Sequence, residues 1–116
     1  MKVLITGGAG FIGSHLADFL LKSRKISKII ILDNIKDGSL KNLKNSINSR
    51  KLKFYKCDIN KFKSIESKFK SVDLVYHLAA LSDVVPSIEE PIDYLQSNIM
   101  GTVNVLESMR KHKVKK

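Results

Sequence analysis

The amino-acid sequence predicts an α/β fold built on a doubly wound parallel sheet. Three observations carry that expectation. Apolar runs and amphipathic segments alternate four times, the first, second and fourth runs read as buried strands, and the turn after the first run is rich in glycine. Strands apolar on both sides belong in parallel sheets covered by helices on either face. Right-handed crossovers between them then give the strand order 3-2-1-4.

Lys2–Thr6 is a short buried strand. The segment Phe11–Lys22 places Ile12, Leu16, Phe19 and Leu20 at helical spacing, so these are expected to form one apolar face. Ile29–Leu32 is a second buried strand, closed by Asp33. Residues 34–50 are polar, with Leu40, Leu43 and Ile47 spaced for a short helix. Leu52–Cys57 is a third strand, and Lys51, Lys53 and Lys56 suit it to a sheet edge guarded against self-pairing. Phe62, Ile65 and Phe69 mark another helix, and Leu74–Ala79 is a fourth strand. Leu81–Pro91, with two prolines, is expected to be a loop. Ile92, Leu95, Ile99, Val103, Leu106 and Met109 then line one face of a long helix. Asn98 and Gly101 interrupt it, at a propensity cost of up to about 1 kcal/mol for the glycine.

The 116 residues suit one domain, and 43% hydrophobic with 28% charged content is ordinary for a globular chain. No stretch approaches the roughly 18 apolar residues of a membrane helix. The glycine motif follows Val3-Leu4-Ile5 so closely that no room is left for a signal peptide. Cys57 is the only cysteine and fits a reducing cytoplasm, as a small filler at a strand end rather than a nucleophile. The net charge of +10 raises the question of nucleic acid. Residues 1–70 carry 16 Lys and Arg against 5 Asp and Glu, whereas residues 71–116 carry 5 against 6. These charges are scattered, lysine outnumbers arginine 18 to 3, and no aromatic interleaving or nucleic-acid motif accompanies them. A solvated lysine surface is expected, with no specific nucleic-acid partner and no membrane.

The strongest local signal is Thr6-Gly7-Gly8-Ala9-Gly10-Phe11-Ile12-Gly13. It follows a strand and opens a helix, the context in which glycines bring a backbone close to a pyrophosphate and aim helix amides at it. This marks a Rossmann-type dinucleotide site. Asp33 stands 20 residues past Gly13, where a carboxylate can accept hydrogen bonds from ribose hydroxyls and repel a 2′-phosphate. Lys36 is the only nearby cation, so NAD is favoured over NADP. Asp58 could meet an adenine edge or cap the helix that starts near Lys61. His77, inside an apolar strand, is better read as buried and satisfied than as a proton-transfer group. There is no Ser/His/Asp arrangement and no metal-ligand cluster in the sequence.

Taken together, these residues resemble the extended short-chain dehydrogenase/reductase family, in particular its NAD-dependent nucleotide-sugar epimerases and dehydratases such as the UDP-glucose 4-epimerases. The features are Thr6 through Leu16, Leu32-Asp33-Asn34, Cys57-Asp58-Ile59, His77-Leu78-Ala79-Ala80, and Pro91 through Asn98-Ile99-Met100-Gly101-Thr102 to Glu107, so they span nearly the whole chain. The resemblance implies that Gly7, Gly10, Phe11, Ile12 and Gly13 hold the pyrophosphate of NAD. It implies that Asp33 and Asn34 bind the adenosine ribose, and Asp58 and Ile59 the adenine. Leu78, Ala79 and Ala80 would line the cofactor cleft, Asn98 would reach it from the long helix, and the loop holding Ser82 and Ser87 would border nicotinamide and sugar. It also implies a homodimer through the 92–110 helix and one that follows.

The family's catalytic serine or threonine and its Tyr-x-x-x-Lys pair would fall beyond a strand starting after Val114. Tyr55, Tyr76 and Tyr94 have Ile59, Ala80 and Asn98 four residues on, so no catalytic residue is assigned in residues 1–116. The chain is expected to be the NAD-binding N-terminal portion of such an enzyme, lacking the substrate lobe and inactive alone. The alternative is a stand-alone, non-catalytic nucleotide-binding module.

Overall fold

The computed structural model describes all residues from Met1 to Lys116. Four strands, β1 (Lys2–Thr6), β2 (Lys28–Asp33), β3 (Leu52–Lys56) and β4 (Leu74–His77), form one sheet in the order β3-β2-β1-β4. Every neighbouring pair is parallel, with Val3 opposite Ile29 on one side and Leu74 on the other. Alternation along β1 and β2 feeds two separate cores. Val3, Ile5, Ile29 and Ile31 point to one face, and Leu4, Ile30 and Leu32 to the other. Each such side chain removed from water contributes about 1.5–3 kcal/mol, which makes the two central strands the anchor of the fold.

Helix α1 (Phe11–Leu21) and a 3₁₀ turn (Leu40–Leu43) cover the first face. Helix α2 (Phe62–Ile65), its 3₁₀ continuation to Phe69 and α5 (Gly101–Lys111) cover the second. Between them come α3 (Val84–Glu89) and α4 (Pro91–Leu95), and a π turn at Gln96–Met100 joins α4 to α5. The expected 81–91 loop therefore contains a helical turn and a half. Pro86 sits at its third position, where a proline costs no intrahelical bond.

Each expected apolar helix face is met only in part: Leu16 and Leu20 on α1 and Met109 on α5 pack against the cores, and the remaining positions need correction. On α1 the sheet receives Gly13, Ser14, Ala17 and Leu20, while Ile12 and Phe19 are 68% and 69% exposed. On α5 the buried residues are Gly101, which abuts Ile59, with Val105 and Ser108, while Ile99, Val103 and Leu106 face outward. Gly13 brings α1 against the glycine loop and Gly101 brings α5 against Ile59, while several of the large residues ride outside.

Helix α5 ends in a Schellman turn: Val114 N–H donates to Met109 O at 2.9 Å and Lys113 N–H to Arg110 O at 3.2 Å. Lys113 takes the left-handed conformation (φ 56) that glycine usually supplies there. The turn packs Val114 into the second core and lays Lys116 beside β4, where its carbonyl accepts from Val75 N–H at 2.9 Å. One ladder bond thus stands where a strand past Val114 is expected.

Candidate functional site

A cleft of about 350 Å³ opens at the carboxyl ends of the strands, where the connection from β1 turns one way to β2 and β4 lies on the other side. Open α/β sheets place their ligands at such a point. The glycine loop forms its floor. Gly7 adopts φ 68, and a Cβ there would lie 2.7 Å from Ala79 N. A Cβ on Gly13 would lie 2.4 Å from Gly7 O and 2.6 Å from Gly8 Cα, so helix and loop touch backbone to backbone. Gly8 instead faces the core, against Ile31.

Helix α1 starts without a side-chain cap and without an acid in its first turn. The amides of Phe11, Ile12 and Gly13 have no hydrogen-bond partner in the protein, and all three residues line the cleft. Free amides and the positive end of the helix dipole together form an anion site.

Asp33, at the end of β2, is buried, and its carboxylate locks the loops around it. One oxygen accepts from Ala9 N–H at 2.9 Å and the other from Ile35 N–H at 2.8 Å. Ile35 is thereby held at φ 61, a costly conformation for a β-branched residue. Asn34 accepts from Lys36 N–H at 2.9 Å. The segment beyond closes over the glycine loop, since Ser39 N–H and the Asn42 side-chain amide both donate to Ala9 O, at 3.0 and 2.8 Å. Asp37 and Gly38 line the cleft as a result, which the sequence reading passed over although Asp-Gly is a turn signal. Leu32, Cys57, Leu81 and Ser97 line it too. Three carboxylates, Asp33, Asp37 and Asp58, face the cleft and no lysine or arginine does, despite the basic composition.

Asp58 accepts from Asn60 N–H at 2.9 Å in a local turn, and α2 has no side-chain cap. The capping alternative is thus not realised, and the carboxylate remains on the cleft wall. Ile59 is buried against Gly101, where a Cβ would lie 2.5 Å from Ile59 Cδ1. Leu78, Ala79 and Ala80 form the β4 wall, with Ser82 beyond them. Ser87 turns away and donates to Val84 O. Asn98 meets the cleft through Leu81, one of its lining residues. Its side chain accepts from Leu81 N–H and donates to Leu81 O, both at 2.8 Å, and so orders the loop. His77 is satisfied on both nitrogens, and burial holds its pKa below the ordinary value. Burial likewise pushes the Cys57 thiol up, which makes it a poor nucleophile.

The family model described as GDP-mannose 4,6 dehydratase matches residues 4–116. The chain belongs to this family. Among relatives of the GDP-mannose 4,6 dehydratase family, a dTDP-D-glucose 4,6-dehydratase of Dictyostelium discoideum is 44% identical across 99% of this chain and 27% of that protein. A UDP-glucose 4-epimerase of Halalkalibacterium halodurans is 39% identical across all of this chain and 33% of that one. The dTDP-glucose 4,6-dehydratase of Streptomyces venezuelae, solved with NAD and TYD bound, superposes with a TM-score of 0.93 at 32% identity, covering 98% of this chain and 37% of that one. A Thermus thermophilus UDP-glucose 4-epimerase in complex with NAD gives a TM-score of 0.84 at 33% identity, covering 99% and 35%. The chain therefore spans about a third of the length of these relatives and corresponds to their N-terminal part.

Proposed function

We propose that this chain is the NAD-binding part of a nucleotide-sugar epimerase or dehydratase. The observation that carries the reading is the trio of unpartnered amides at Phe11, Ile12 and Gly13, facing a cleft whose next strand ends in Asp33. A diphosphate needs donors but not mobile cations, and this cleft offers backbone donors and no lysine or arginine.

Gly7, Gly10, Phe11, Ile12 and Gly13 hold the pyrophosphate. Asp33, whose two oxygens keep lone pairs beyond those given to Ala9 and Ile35, accepts from the adenosine ribose hydroxyls beside Asn34. Asp58 and Ile59 flank the adenine, and Leu78, Ala79 and Ala80 form the wall toward the nicotinamide. Asn98 serves the site by fixing Leu81. Three carboxylates on the cleft disfavour a 2′-phosphate, which supports NAD over NADP. Bound in this cleft, NAD would supply reversible hydride transfer with a sugar carbon. Residues 1–116 contribute binding and orientation of that cofactor. They hold no Tyr-x-x-x-Lys pair to move the sugar proton, and no catalytic role is assigned among them.

The outward row of Ile99, Val103 and Leu106, each about half exposed, supports a homodimer through the 92–110 helix. No helix is long and apolar enough to cross a membrane, and the one free cysteine suits a reducing cytoplasm. Calorimetric titration with NAD, ADP-ribose and NADP tests the reading. Saturable binding of the first two, weaker binding of the third and no hydride transfer are expected. Equal affinity for NADP, or no binding of ADP-ribose, would count against it.

A further inference from the structure

Thr6, at the end of β1, and Thr102, in the first turn of α5, stand on opposite sides of the His77 ring. Thr6 Oγ1 lies 2.6 Å from Nδ1 and Thr102 Oγ1 lies 2.9 Å from Nε2. The direction of each bond follows from its neighbours. The Thr102 hydroxyl donates to Asn98 O at 2.7 Å, so its oxygen accepts from Nε2–H. The Thr6 oxygen accepts from Leu78 N–H at 3.1 Å and Ala79 N–H at 3.2 Å. With both lone pairs taken, its own proton goes to Nδ1. The ring is neutral and its single proton sits on Nε2.

We propose that Thr6, His77 and Thr102 form a positioning relay that fixes the β4 wall of the cleft against the long helix, with His77 working as the Nε2–H tautomer. The wall hangs from Thr6: its hydroxyl holds the Ala79 amide and shares the Leu78 amide with its own carbonyl at 3.1 Å, and both residues line the cleft. Beyond Thr102 the connection continues through Asn98 to both backbone groups of Leu81. His77 itself does not line the cleft, so its part is to position and not to touch a ligand. A proton on Nδ1 would find the Thr6 oxygen fully used, and the Ala79 amide, which has no other acceptor, or the Leu78 amide, which would keep its bond to Thr6 O at 3.1 Å, would have to give way. No charged group on β1, β4 or α5 faces the ring to favour the imidazolium, and burial alone disfavours it.

The relay rests on the cofactor reading only in its consequence for affinity. The test uses the full chain with ¹⁵N-labelled histidine, nucleotide-free at neutral pH, followed by Thr102→Val and Thr102→Ser. We expect His77 to show a protonated Nε2 and an unprotonated Nδ1. Thr102→Val should shift the Leu78, Ala79 and Leu81 amides and weaken ADP-ribose binding about tenfold, the loss expected for one buried hydrogen bond. Thr102→Ser should restore both. A ring protonated on Nδ1, or wall amides unmoved in a folded Thr102→Val, would overturn the proposal. The tautomer is read on the unsubstituted chain, so it decides even if a variant fails to fold. A chain that bound no ADP-ribose would overturn the cofactor reading alone, since tautomer and wall shifts are both read without nucleotide.

Discussion

Replacing Gly13 by alanine sets two effects of opposite sign against each other. Within a helix the change gains about 1 kcal/mol from propensity alone. The added Cβ, however, would stand 2.4 Å from Gly7 O and 2.6 Å from Gly8 Cα, both backbone atoms that cannot rotate aside. The shortfall from van der Waals contact is about 1 Å, so α1 must lift from the loop. Overpacking of this kind costs about 1–3 kcal/mol or more, and a rigid backbone neighbour puts it at the upper end. The net expectation is a loss of roughly 2 kcal/mol, which lowers Tm by about 8 °C for a domain of this size. Gly101→Ala is the control. There the Cβ meets Ile59 Cδ1 at 2.5 Å and Cγ1 at 2.8 Å, a flexible side chain that can turn away. Gain and clash should then cancel to within about 1 kcal/mol. Urea and thermal melts followed by circular dichroism, with ADP-ribose titration alongside, measure both variants. Gly13→Ala melting at or above the unsubstituted chain, or Gly101→Ala proving the more damaging, would refute the reasoning.

Asp33→Asn leaves either Ala9 N–H or Ile35 N–H without an acceptor and should cost about 1–3 kcal/mol in urea melts. It should also narrow the preference for ADP-ribose over its 2′-phosphate, and an unchanged ratio would show that this carboxylate does not discriminate. Lys113→Gly relieves the left-handed residue ending α5 and should add about 1 kcal/mol to stability, whereas no gain would mean the turn is unstrained. On acidification, stability should fall in two steps. Below about pH 6.5 the unfolded chain protonates His77 while burial keeps the folded ring neutral, so unfolding takes up a proton. Below about pH 4.5 the loss continues, because Glu66, held down by hydrogen bonds from Lys111 and His112, must protonate. Tm measured against pH for the chain and for His77→Phe should show the upper step only in the former.

The strand order and the glycine loop were legible because each rests on a local pattern: central apolar runs wet on neither face beside a lysine-bearing edge run, and glycines between a strand and a helix. Which face of each helix is buried was legible only in part. Periodicity follows large apolar side chains, and α1 and α5 carry them on both sides: Leu16, Leu20 and Met109 inward, Ile12, Phe19, Val103 and Leu106 outward. Their inner faces also hold small residues, Gly13, Ser14 and Ala17 on one and Gly101 and Ser108 on the other, a choice that only close packing explains. Asp33, Asn34 and Asp58 reach the cleft because they close strands whose ends converge there. Asn98 sits on a π turn that aims its amide at Leu81, and a register change inside a helix leaves no mark in spacing. Asp37 and Gly38 arrive through a loop folded back on Ala9, a long-range contact with no local signature.

The central claim is that a diphosphate rests on the first turn of α1. Amide shifts of the ¹⁵N-labelled chain during ADP-ribose titration test it most directly. The account predicts saturable movement of Phe11, Ile12 and Gly13 together with Ile35, whose amide reports on Asp33. Shifts spread over the surface lysines and abolished by moderate salt, with the glycine-loop amides still, would contradict it.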